Sequence, residues 1–111
     1  MLLSSRHRAF LYHKNIDMRW GFERLSYLVK KEMSEDITYG DLFLFLGFNR
    51  RRLKGLFYDG SGLVLLTKRM EKKCFMSVSE LSSFELSEEE LKLLVHGSVL
   101  RRYEPEVRKI S

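Results

Sequence analysis

The sequence predicts an α+β fold: a mainly antiparallel sheet in the order β-α-β-β-β-β-α, with one long helix packed on the sheet and a shorter C-terminal helix. Three observations carry that expectation. Apolar residues recur at helical spacing from Met18 to Met33. Short runs rich in Leu, Phe and Val, divided by polar turns, follow between Leu42 and Thr67. A Ser-x-x-Glu helix start stands at Ser87-Glu88-Glu89-Glu90.

Taken in order, Ala9-Phe10-Leu11-Tyr12 reads as a short strand that ends in the polar Lys14-Asn15. Asp17 then occupies the place of a helix N-cap, where a carboxylate accepts from free N–H groups of the first turn. Met18, Phe22, Leu25, Val29 and Met33, with Leu28 beside them, make one apolar stripe, and Ser34-Glu35-Asp36 ends the long helix. Leu42-Phe43-Leu44-Phe45-Leu46 is too short for a good helix and reads as a strand buried on both faces. After Asn49-Arg50-Arg51-Arg52 the extended pattern resumes from Leu53 to Tyr58, so the two runs form a hairpin. Asp59-Gly60-Ser61-Gly62 is a second turn, followed by the strand Leu63-Val64-Leu65-Leu66-Thr67 and a further short strand from Cys74 to Val78. The last helix opens on the Ser87/Glu90 capping box, buries Leu91, Leu94 and Val95, and stops at Gly97.

With 111 residues the chain is expected to be one domain over 1–111, with frayed ends at about 1–8 and 104–111. A hydrophobic content of 44% is enough for a core and excludes wholesale disorder. The one cysteine, Cys74, cannot make an internal disulfide, which argues for a reducing compartment. No apolar run reaches the roughly 18–20 residues of a membrane helix, and the first eight residues lack the apolar segment of a signal peptide. The expectation is a soluble cytoplasmic protein with no membrane partner.

Charge separates the chain further. Residues 1–49 carry a net charge of +1, residues 50–73 carry +6, and residues 74–111 carry −2. A clustered positive field draws polyanions, above all the phosphates of nucleic acid. Arg50, Arg51, Arg52 and Lys54 surround one turn, while Lys68, Arg69, Lys72 and Lys73 close the strand after the next. In an antiparallel meander, alternate turns fall at opposite ends of the sheet. The two runs are therefore expected at one end, merged into a nucleic-acid-binding patch. The competing reading is solvated protection of a sheet edge. Among the interleaved aromatics, Phe57 and Phe48 read as core, whereas Trp20 lies off the helical stripe and is a candidate protein interface.

Enzymatic signatures are missing from the sequence. His7, His13 and His96 have no companions at metal-ligand spacing, so no metal and no cofactor is expected. Neither a phosphate-binding glycine loop nor a nucleophile elbow is present. A two-metal nuclease would need Asp17, Asp41 and Asp59 to converge, but each has a local explanation as cap, turn and turn.

One set of segments resembles a known family. Asp17-Met18-Arg19-Trp20-Gly21-Phe22-Glu23-Arg24-Leu25 is similar to the D-M-R-x-G-[FI]-x-x-L signature of the small accessory protein of insertion-sequence-66-type mobile elements, often called TnpB or Orf2-like. Leu42-Phe43-Leu44-Phe45 resembles its L-F-x-F strand. Arg52 to Gly62 resembles R-x-K-x-L-x-x-D-G-x-G, and Lys68-Arg69-Met70-Glu71 resembles K-R-x-E. The likeness spans about residues 10–103 in order and spacing. It implies a non-catalytic role in DNA transposition beside a larger transposase, with no catalytic residues to carry over. Two readings follow. In the first, the basic patch binds DNA, chiefly at phosphates of the element's ends. In the second, the chain is an adaptor that contacts the transposase without touching DNA.

Overall fold

The computed structural model describes residues 7–72, 74–75 and 84–96. In chain order these form β1 (Ala9–Ile16), α1 (Phe22–Lys31), one 3-10 turn (Ile37–Tyr39), β2 (Leu42–Gly47), β3 (Arg52–Tyr58), β4 (Leu63–Arg69), β5 (Phe84–Leu86) and α2 (Glu88–Val95). The strands build one sheet ordered β4-β3-β2-β1-β5. β3 is antiparallel to both β2 and β4, and β5 is antiparallel to β1. β1 and β2, however, run parallel, with Ala9 opposite Leu42 and Leu11 opposite Leu44. The chain is α+β, but its sheet is mixed and both helices are short. This corrects the expectation of a mainly antiparallel sheet under one long helix. The physical reason is the crossover: α1 carries the chain back along the sheet, so β2 starts at the same end as β1.

The helix is shorter than its apolar stripe because Asp17 does not cap it. The Asp17 carboxylate instead accepts from the Arg19 backbone N–H at 2.9 Å and from the Arg19 guanidinium at 2.6 Å. A turn closed by Trp20 N–H to the Asp17 carbonyl then leads to Gly21, the actual N-cap, which offers no side-chain acceptor. Met18 and Met33, the two ends of the stripe, lie outside the ten-residue helix, whose buried face is Leu25, Leu28 and Val29. The Tyr12 hydroxyl donates to Glu32 at 2.5 Å, tying the helix's C-terminal end to β1. Burial and that carboxylate push the phenol well above its ordinary range.

β2 is the central strand, and its Leu-Phe-Leu-Phe-Leu run is buried throughout, as a strand covered on both faces requires. Its alternation splits the core in two. Leu42, Leu44 and Leu46 join Leu11, Leu53, Phe75, Leu86 and Leu94 on the face covered by α2. Phe43 and Phe45 join Phe10, Tyr12, Leu25, Val29 and Leu56 on the face covered by α1. Phe10 stacks on Phe43 at 5.4 Å between ring centres, an arrangement worth about 0.5–1.5 kcal/mol beyond its area. α2 begins with the capping box foreseen: the Ser87 hydroxyl accepts from Glu90 N–H, and Glu90 accepts from Ser87 N–H. The strand expected at Cys74–Val78 is not found at Cys74 or Phe75, and residues 76–78 lie outside the described ones. The fifth strand is Phe84–Leu86. Gly97 and the C-terminal tail also lie outside the described residues. Among the described residues, no helix is long and apolar enough to cross a membrane.

Candidate nucleic-acid interface

Antiparallel register brings the start of β3 against the end of β4. Arg52 faces Arg69, and Leu53 faces Lys68. The turn before β3 is closed by Arg50 N–H to the Gly47 carbonyl at 3.1 Å. Asn49 supports it, its side-chain oxygen accepting from Arg51 N–H at 2.9 Å. Arg50 adopts a left-handed φ of 60°, a conformation that costs a non-glycine residue about 1–3 kcal/mol.

The chain beyond β4 is held against this turn. Met70 N–H donates to the Arg51 carbonyl at 2.7 Å, and Phe75 N–H to the Arg50 carbonyl at 2.6 Å. Met70 and Phe75 are both buried in the α2-side core, whereas Cys74 beside Phe75 is exposed. Glu71 and Lys72 are exposed as well. Arg50, Arg51, Arg52, Lys68, Arg69 and Lys72 thus share one end of the sheet, all exposed. Lys73 lies outside the described residues.

Several of these cations have internal partners. Arg51 donates to the Met70 and Glu71 carbonyls at 3.4 and 3.3 Å. Lys68 donates to the Val95 carbonyl, placing a cation at the negative C-terminal end of α2. Arg69 pairs with Glu71 at 3.2 Å, but both side chains are well exposed, and such pairs are worth about 0–1 kcal/mol. Glu71 thus stands beside Arg69 within this cationic end of the sheet.

Lys54 is the exception. It is only 9% exposed, and its ammonium donates to the Met18 carbonyl at 2.7 Å and the Trp20 carbonyl at 2.6 Å. Burial lowers its pKa, and the nearby Asp17 charge partly opposes the shift. Lys54 holds the turn into α1 and is not presented to a polyanion. Trp20 is half-buried against the α1-side core, with the Arg24 guanidinium 4.4 Å over its ring. Phe57 packs on the α2-side core, whereas Phe48, read as core from sequence, is 74% exposed at the turn beside Arg50.

The three aspartates considered for a nuclease each hold hydrogen-bond donors of the chain. Asp17 holds Arg19, which keeps its pKa down at about 2. Asp59 accepts from the Ser61 and Gly62 N–H groups, as a turn aspartate does. Asp41 is a strand clamp, not a turn residue. It is 3% exposed and accepts from the Arg8 backbone N–H at 2.8 Å and the Arg8 guanidinium at 2.9 Å, fixing the parallel start of β1 and β2. Among the described residues, no group of three or more His, Cys, Asp and Glu side chains could hold a metal ion.

Comparison with known proteins adds the decisive finding. The model of the IS66 Orf2-like protein family matches residues 7–105. The chain belongs to the IS66 Orf2-like family. It is 37% identical over 92 residues to the uncharacterized protein y4jC of Sinorhizobium fredii, covering 81% of this chain and 78% of that one. It is 32% identical over 91 residues to y4hO of the same organism, covering 81% and 79%. No solved structure matches it.

Membership gives this IS66 Orf2-like chain a transposition-related accessory role, associated with an IS66 element and its transposase. It also gives physical meaning to the matched segments. Lys54, from the R-x-K segment, bonds the carbonyls of Met18 and Trp20, from the D-M-R-x-G segment. Two parts of the chain 34 residues apart are thus one interlocked unit. Gly47 completes it, since a Cβ there would stand 2.9 Å from the Met18 Cγ.

Proposed function

We propose that this IS66 Orf2-like chain is a non-catalytic accessory protein that binds DNA of its own element through the cationic end of the sheet. The single observation that supports this most is the register of β3 and β4, which sets Arg52 directly opposite Arg69. Like charges facing each other across a ladder are destabilising, so the arrangement calls for an anion to offset it. Arg50, Arg51, Lys68 and Lys72 extend the field around that pair. Arginine forks suit phosphate oxygens, and contacts of this kind position a protein on DNA without reading sequence. Lys54 takes no part. The adaptor reading looks to an exposed apolar patch at Trp20 or the last helix, and the Trp20 ring is engaged by Arg24 and the core.

The test is a salt titration of binding to duplex from the element's ends and to random duplex. Binding at low salt should weaken steeply as salt rises, with little preference between the two sequences. Lys72→Ala should flatten the slope by roughly one unit. No binding at low salt would overturn the reading, and co-purification with the transposase after nuclease treatment would then favour the adaptor.

A further inference from the structure

We infer that Phe48 is a stacking platform for an unpaired base, which makes single-stranded or locally opened DNA the preferred ligand of the cationic end. This rests on the DNA-binding reading above and deepens it. Phe48 occupies the position after Gly47 in the turn closed by Arg50 N–H to the Gly47 carbonyl. That position ordinarily suits proline or a small polar residue, and a phenyl ring gains nothing there from the turn itself. The ring is 74% exposed, the most open of the large apolar side chains described. It stands two residues from Arg50 and is followed by Arg51 and Arg52, so it lies inside the cationic field.

Cations that hold phosphates, with an aromatic ring set among them, are the components of a single-strand site. The charges follow the backbone, while the ring takes the face of a base of any identity. The form of DNA follows from the energetics. In a duplex, base faces are covered by their neighbours, and exposing one costs a few kcal/mol of unstacking. A single strand offers its base faces without that cost. The cations serve both forms, but the ring contributes only where a base is open.

The test uses the whole chain and one oligonucleotide sequence carrying 2-aminopurine, presented as a single strand and as a blunt duplex. Wild type should bind the single strand more tightly and change the 2-aminopurine emission. Phe48→Ala should weaken single-strand binding by roughly 5- to 150-fold, abolish the emission change, and leave duplex binding and the melting midpoint where they were. Phe48→Trp should restore the single-strand affinity. Equal loss on both forms, or no loss on the single strand, would overturn the inference. Arg51→Ala, Arg52→Ala and Lys72→Ala separate the two levels: if they weaken both forms while Phe48→Ala does nothing, DNA binding stands and base stacking falls. If wild type binds neither form at low salt, the DNA reading itself fails.

Discussion

Arg52 and Arg69 lie directly opposite each other on β3 and β4, and Arg69 also has a carboxylate neighbour, Glu71 at 3.2 Å. Stability and binding should therefore respond to Arg52→Glu with opposite signs. The new carboxylate would face Arg69, a cross-strand pair worth about 0.2–1 kcal/mol, so urea denaturation should show unchanged or slightly raised stability. The same change removes one cation and adds an anion at the proposed phosphate site. DNA affinity should fall, and the dependence of log K on log salt should become shallower by at least about one unit. Undiminished binding would separate the facing arginines from function.

Lys54 supports the fold from within. Lys54→Met keeps the length of the stem but leaves the Met18 and Trp20 carbonyls without their donor. Hydrogen bonds from a charged donor are worth about 1.5–3 kcal/mol, so a destabilisation of that order is expected in equilibrium unfolding. Any loss of DNA affinity should appear only as the population of folded protein declines. A Lys54→Met variant of full stability but poor DNA binding would return Lys54 to the interface.

Local chemistry explains which parts of this arrangement are legible in the sequence. The Ser87/Glu90 box, the Asp59 turn and the buried Leu42–Leu46 run depend on neighbours a few residues away, and each is found where those residue types place it. The meeting of the two basic runs needed only hairpin register, which alternating turns supply. Asp17 misled because its cap-like position says nothing of Arg19, which competes for the carboxylate, or of Lys54, which takes the carbonyls around Met18 and bends the chain before the helix. The parallel pairing of β1 and β2 had a signal, since a strand, a helix and a strand in succession are what a crossover requires. Lys54 had none. Both Leu53 and Leu56 are buried, so period-two alternation does not say which face of β3 the lysine occupies.

The Asp17–Arg19 clasp should be visible in its titration. The Arg19 guanidinium and backbone N–H hold the Asp17 pKa at about 2, below the usual carboxylate value of about 3.9. A lowered folded-state pKa means that the contribution is fully present above the unfolded value. It fades as pH falls from about 4 through about 2. NMR titration should place the Asp17 midpoint near the lower figure in wild type and bring it back towards 4 in Arg19→Ala. A midpoint near 4 in wild type would mean that the clasp does not persist in solution.

Gly21 marks the one helix start in the described chain that lacks a side-chain cap. Its backbone sits at φ −115° and ψ −154°, an extended conformation that any residue adopts, and a Cβ there would meet nothing within 4 Å. Gly21→Ser adds a hydroxyl that can accept from a first-turn N–H, as Ser87 already does for α2. It also reduces the freedom of the unfolded chain, an effect of about 0.4–1 kcal/mol when the native conformation is compatible. The variant should be more stable by about 0.5–1 kcal/mol in urea, with DNA binding unchanged because the substitution leaves every cation of the sheet end in place. Loss of stability would mean that the glycine is required by the interlock of Lys54 with the Trp20 carbonyl just before it, so the same substitution in a Lys54→Met background should then cost less.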